Sequence, residues 1–164
     1  MKEEIGKRKP RLLVDKREQC PLTFSLDKFD VVNQSSSFGD YHCEIPTTEG
    51  TYTQVPVCFE RKGLGDLFGT MGKGYPRFRK ELERARESKY HLTLIIEGSI
   101  KEVHKGYHHS SISGDTMLKK LAMLRVRYDL EVLFFEDRRS MARWVEEVFD
   151  AVHRNYTAGT PSTA

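Results

Sequence analysis

Short apolar runs and periodic apolar faces alternate along this chain and mark out its elements. Arg11-Leu12-Leu13-Val14 ends at Asp15 and reads as a buried strand that delivers Asp15, Arg17 and Glu18 together at its C-terminal edge. A second strand is expected over residues 29–32, then a polar loop over 33–37, and extended chain resumes at Gly39-Asp40-Tyr41 as far as Ile45. Glu49-Gly50 marks a turn. Residues 54–59 are again strand-like and run into Glu60-Arg61-Lys62, followed by an expected glycine-spaced turn, Gly63-Leu64-Gly65.

From Pro76 the period becomes helical. Phe78, Leu82 and Ala85 recur on one face and Arg77, Lys80 and Arg84 on another, which predicts an amphipathic helix with a basic side. Residues 90–96 are nearly continuous and β-rich, as a central strand covered on both faces should be. Residues 99–114, rich in Ser, His, Lys and Gly, read as a long exposed loop with room for a short ordered stretch. Asp115 is placed to cap a helix whose Leu118, Leu121, Ala122 and Leu124 face the sheet, ahead of a strand at 131–135. Met141, Trp144, Val145, Val148, Phe149 and Val152 then form one broad apolar face of a last helix. Strands alternating with helices, with strand pairs early in the chain, predict an α/β fold with a mixed central sheet flanked by helices.

A length of 164 residues fits one domain, and 38% apolar residues suffice for its core. The expected layout is a mobile basic arm at 1–10, a folded domain at 11–156 and a disordered tail at 157–164. No stretch approaches the ~20 apolar residues of a membrane span, and Met1-Lys2-Glu3-Glu4 lacks the apolar run of a signal peptide. The expectation is therefore an intracellular protein without a membrane partner, in cytoplasm or nucleoid if prokaryotic or viral and in the nucleus if eukaryotic. Cys20, Cys43 and Cys58 form no CxxC pair, which argues against a zinc ribbon or a disulfide framework.

The formal net charge of +3 names no partner, but its distribution does. Between positions 61 and 89 stand nine basic residues against four acidic ones, with Lys73, Arg77, Lys80 and Arg84 placed to meet backbone phosphates. Carboxylates gather at strand ends beside this region: Asp15, Asp40, Glu60 and Asp66. Glu60 and Lys62, two apart on a strand, share one face. Mg²⁺ prefers oxygen ligands and is usually held by one or two carboxylates plus substrate phosphates, so Asp40 and Glu60 suit such a clamp. A neighbouring lysine can hold the attacking water. As bare spacing this is weak, because charged residues at strand ends are commonly solvated or ion-paired. His104, His108 and His109 lie in an expected loop, where phosphate or solvent contact outweighs zinc binding, and no GxSxG elbow supports a serine triad.

Val14-Asp15-Lys16-Arg17-Glu18, Gly39-Asp40-Tyr41 and Glu60-Arg61-Lys62-Gly63-Leu64-Gly65-Asp66 stand in order and resemble the VDxRE, GDY and ERKxxxD patterns of the XPF-type nuclease family. The resemblance extends over roughly residues 11 to 156, through the following helix, central strand and last amphipathic helix. After Asp66 the sequence departs, with Gly74-Tyr75-Pro76-Arg77-Phe78 where the family typically shows Gly-Arg-Leu followed by Gln.

The resemblance implies a restriction-endonuclease-like core and a metal-dependent endonuclease acting on branched DNA (flap, fork or junction) in repair or recombination. It implies Mg²⁺ as cofactor, with Mn²⁺ as a substitute. Asp40 and Glu60 correspond to the metal ligands, Lys62 to the catalytic lysine, Asp15 and Asp66 to supporting carboxylates, and Arg17 and Arg61 to site support or phosphate contacts. Only a short polar stretch follows Tyr156, where many relatives carry a helix-hairpin-helix module. DNA grip is then expected from this domain, a dimer mate or another protein, and pairing into a homodimer or heterodimer through the domain is implied. The contrasting reading is a catalytically silent DNA-binding scaffold, but such members usually lose the acidic and lysine positions retained here.

Overall fold

The computed structural model describes residues 8–157. Six strands form one sheet: β1 (Arg11–Val14), β2 (Asp30–Asn33), β3 (Tyr41–Pro46), β4 (Tyr52–Gly63), β5 (His91–Glu97) and β6 (Glu131–Phe135). Their spatial order is β2-β1-β3-β4-β5-β6. The β1–β3 and β3–β4 pairs are antiparallel and the other three parallel, so the sheet is mixed as expected. Five helices complete the chain: α1 (Leu64–Met71), α2 (Tyr75–Glu87), α3 (Ile100–Lys105), α4 (Gly114–Tyr128) and α5 (Arg138–Thr157).

The period of two in β4 sends alternate side chains to two cores. Cys58 enters one with Leu94 and Ile96, under α1, α2, α3 and α4. Phe59 enters the other with Ile95, Tyr41 and the Met141, Val145 and Phe149 face of α5. Glu60 and Lys62 follow Cys58, while Arg61 follows Phe59. The strand that builds the sheet therefore carries an acid–lysine pair onto one face and an arginine onto the other. Among the described residues, no helix is long and apolar enough to cross a membrane.

Several local expectations need correction. Gly63-Leu64-Gly65 is no turn: β4 runs through Gly63 and passes directly into α1, which Leu67, Phe68 and Met71 bury. The segment 99–114 contains the short ordered stretch for which it had room: Ser99 and Glu102 close a reciprocal capping box that starts α3, and irregular chain follows as far as Ser113. Ser113, not Asp115, caps α4, and Asp115 pairs with His104 instead. Ala122 is exposed on α4, and Met117 takes its place in the core. Trp144 is 44% exposed rather than packed on the sheet. Of the expected mobile arm, residues 1–7 lie outside the described residues, but Arg8 and Lys9 donate to the carbonyls of Gly50 and Leu26. Of the expected tail at 157–164, Thr157 is instead the last residue of α5, and residues 158–164 lie outside the described residues.

Candidate active site

The site is built where β3 begins and β4 ends. Gly39 adopts φ +68°, and a Cβ there would stand 3.3 Å from Cys58 Sγ, so glycine is what lets the chain turn tightly against β4. The turn fixes Asp40 by its backbone, whose N–H donates to Phe59 O at 2.7 Å. The Asp40 carboxylate accepts from the Arg61 N–H at 2.8 Å, which holds it beside the end of β4. On the same face Lys62 Nζ lies 2.7 Å from Glu60 Oε1, as their spacing on a strand predicts, and Glu60 is only 4% exposed.

This corner carries more negative charge than it neutralises. Burial, with the charges of Glu18 and Glu81, pushes Asp40 up to about 7 against the opposing Arg61 N–H and Lys62. Burial and then the Asp40 charge push Glu60 well above the ordinary carboxylate range. Burial acts to lower Lys62, but the adjoining Glu60 charge and hydrogen bond raise it, so the ammonium is retained. A partly buried set of acids held close together against one lysine is poised to exchange protons for a cation.

Glu81 was not expected here. It sits on α2 among Arg77, Lys80 and Arg84, in a face that reads as basic, yet its Oε1 accepts from the Gly39 N–H at 3.0 Å. It thereby ties the turn that carries Asp40 to the basic helix. Its place on the Arg77–Arg84 face, four residues after Arg77, was the signal available in the sequence.

The other expected site residues take different positions. Asp15 is buried, and its carboxylate accepts from Arg17 N, Arg17 Nε, Arg17 Nη2 and Ser36 N at 2.7–3.3 Å. Arg17 thereby holds Asp15 below the ordinary range despite its burial, so Asp15 serves the Arg17–Ser36 corner. It is joined to the Asp40 turn through its own N–H, which donates to Asp40 O at 2.8 Å. Arg61 lies on the opposite face, its side chain 9% exposed, bound by Nε and Nη2 to Glu18 at 3.1 and 2.9 Å and by Nη1 to Glu97 at 3.1 Å. It supports β4 and meets no open surface for phosphate. Asp66 is exposed on the first turn of α1 and forms no ion pair among the described residues. Lys73, Arg77, Lys80 and Arg84 are exposed on the turn before α2 and along it, and Arg84 Nε donates to Ser37 O at 3.0 Å.

The donor set fits a hard divalent cation. Among the described residues no three His, Cys, Asp or Glu side chains form a ready cage. Two carboxylates with excess negative charge match an ion that keeps several waters and takes phosphate oxygens from its substrate.

A mixed six-stranded sheet flanked by helices is the restriction-endonuclease-like fold. The ERCC4 domain matches residues 14–148, and the chain belongs to that family, with an XPF-type nuclease domain. Among solved structures, XPF from Aeropyrum pernix is similar at 19% identity and a TM-score of 0.66, covering 90% of this chain and 67% of that one. XPF from Aeropyrum pernix in complex with DNA is similar at 20% identity and a TM-score of 0.62, covering 95% of this chain and 69% of that one. No curated protein is matched by the chain.

Proposed function

We propose that this chain is a divalent-metal-dependent endonuclease that hydrolyses phosphodiester bonds in branched or structured DNA, in repair or recombination. The observation that carries this reading is the corner itself: Asp40 and buried Glu60 pushed toward protonation beside a Lys62 that keeps its charge. Membership of the ERCC4 domain family and the similarity to an XPF solved with DNA support it.

Asp40 and Glu60 would hold Mg²⁺, with Mn²⁺ as a substitute. Bound there, the ion supplies polarisation of the phosphate and a water of lowered pKa. Lys62 stands where it orients the attacking water and offsets negative charge on the phosphate oxygens. Glu81 and the Arg61 N–H fix Asp40, while Arg61, paired with Glu18 and Glu97, holds the far side of β4. Lys73, Arg77, Lys80 and Arg84 contact backbone phosphates without reading sequence. Asp66, exposed at the start of α1, has a minor supporting role. The working unit is a homodimer or heterodimer through this domain, which light scattering at micromolar concentration, with and without branched DNA, tests.

The activity is tested by incubating flap, fork, four-way junction and plain duplex DNA with the protein, with Mg²⁺, with Mn²⁺ and with chelator. Metal-dependent cutting near the branch point is expected. Retention of Asp40, Glu60 and Lys62 weighs against a silent scaffold, which would bind the same substrates and cut none.

A further inference from the structure

Beside the acid corner, on the same face of the sheet, lies a polar cavity of about 280 Å³ that Asp40, Glu60 and Lys62 do not line. Its floor is Leu13, His42 and the Arg17-paired Asp15, its rim Ser35, Ser36 and Ser37, and its far wall Gln54, Ser88 and Tyr90. His42 follows Asp40 by two residues, so the floor begins about 7 Å along the strand from the proposed metal ligand.

The cavity has the chemistry of a small, planar, polar guest. Tyr90 donates its O–H to Gln54 Oε1 at 2.7 Å, which leaves the Gln54 amide N–H₂ free and orients it. Phe38, Tyr90 and His42 form a cluster with ring centroids 5.0–5.7 Å apart, an aromatic wall. His42 is 6% exposed, and its Nε2 lies 2.7 Å from Phe38 O. Nε2 therefore carries the proton, and Nδ1 is left a buried acceptor without a donor.

Two guanidiniums flank the rim. Arg17 is paired with Asp15 through Nε and Nη2 and donates to Ser36 O, while Arg84 Nε donates to Ser37 O at 3.0 Å; both side chains remain exposed to solvent. Phosphates on either side of a guest in the cavity would meet them. A half-buried Tyr90 ring, a hydrogen-bonding Gln54 amide at the wall and cations at the mouth are together the requirements of a nucleotide whose base is out of the double helix.

We infer that this cavity receives one unpaired nucleobase of the DNA substrate, from the nucleotide next to the scissile phosphate, with Arg17 and Arg84 on its backbone. The inference rests on the nuclease reading and deepens it. A fully paired duplex has no free base to insert, so the cavity selects branched DNA at the step of binding.

The test is abasic scanning. Forks carrying a single tetrahydrofuran residue at successive positions are titrated against the full chain by fluorescence anisotropy, with chelator present so that the DNA stays whole. The wild-type protein is expected to lose about tenfold in affinity when the abasic residue occupies an unpaired position beside the branch, and little elsewhere. Ser88→Trp, which narrows the mouth from an exposed position, is expected to bind intact forks about tenfold more weakly and to lose the position dependence. Gln54→Ala, also exposed, gives an intermediate loss and guards against a fold defect in the first variant. A uniform response to every abasic position, or unchanged position dependence in Ser88→Trp, overturns the inference while the nuclease reading stands. Failure to bind any DNA overturns both.

Discussion

Three consecutive residues of β4 divide the end of the sheet into two charged regions of opposite design. On one face Arg61 and Arg138 meet Glu18 and Glu97, two cations against two anions, all within hydrogen-bonding distance. On the other, Lys62 alone faces Glu60, with Asp40 and Glu81 close enough to push Glu60 toward protonation. The balanced face meets the requirement for buried charge, that each ion be paired and hydrogen-bonded. The unbalanced face is a cost to the fold that a bound cation would relieve. Charge excess, more than charge itself, separates the functional corner from the structural one.

The difference predicts opposite results for the two adjacent cations. Lys62→Ala should reduce cleavage by about a thousandfold with little loss of fold, since Glu60 can take up a proton; single-turnover kinetics and a thermal melt read the two effects. Arg61→Ala should instead destabilise by about 3–5 kcal/mol in urea denaturation, because Glu18 is left buried and unpaired. Equal stability losses in both variants would erase the distinction between the faces.

A third change extends the site face outward. Removing Lys73, Arg77, Lys80 and Arg84 together should weaken binding to branched DNA and reduce its salt slope by about three, read from anisotropy titrations at several salt concentrations. An unchanged slope would turn that side of α2 back into ordinary surface.

The smallest predicted effect is in pH. In metal-free protein, a carboxyl raised in the folded state binds its proton more tightly there than in the unfolded chain. The Asp40 contribution to stability therefore declines as pH rises from about 4 toward 7. Glu18, held low by Arg61 in spite of its burial, behaves oppositely: its contribution is present above its ordinary value and lost on acidification. Asp40→Asn should flatten the neutral limb of the stability profile and Glu18→Gln the acid limb, measured by denaturation from about pH 2 to 8.

Much of this division was legible beforehand. The apolar runs of β1, β5 and β6 and the strand-like residues 54–59 placed the strands, and the two-residue period put Glu60 with Lys62. The features that are not legible in the sequence are hidden for physical reasons. Glu81 hides in a basic helix face because only the turn of Gly39 brings a backbone N–H to it. The role of Arg61 depends on Glu97 and Arg138, contributed by strands and helices far along the chain. Ser99-x-x-Glu102 is a readable capping box that the polar composition of its surroundings concealed. Trp144 fits the helical period but lies at the margin of the apolar face, and period alone does not say where that margin falls.

The central claim is that Asp40 and Glu60 together hold the ion that cleavage requires. Single-turnover cleavage of a fork by the wild-type protein, Asp40→Asn and Glu60→Gln at saturating Mg²⁺, with circular dichroism and DNA affinity measured alongside, tests it most directly. The account predicts a loss of about a thousandfold or more in each variant, with fold and DNA binding retained. Wild-type rates in both folded variants would contradict it.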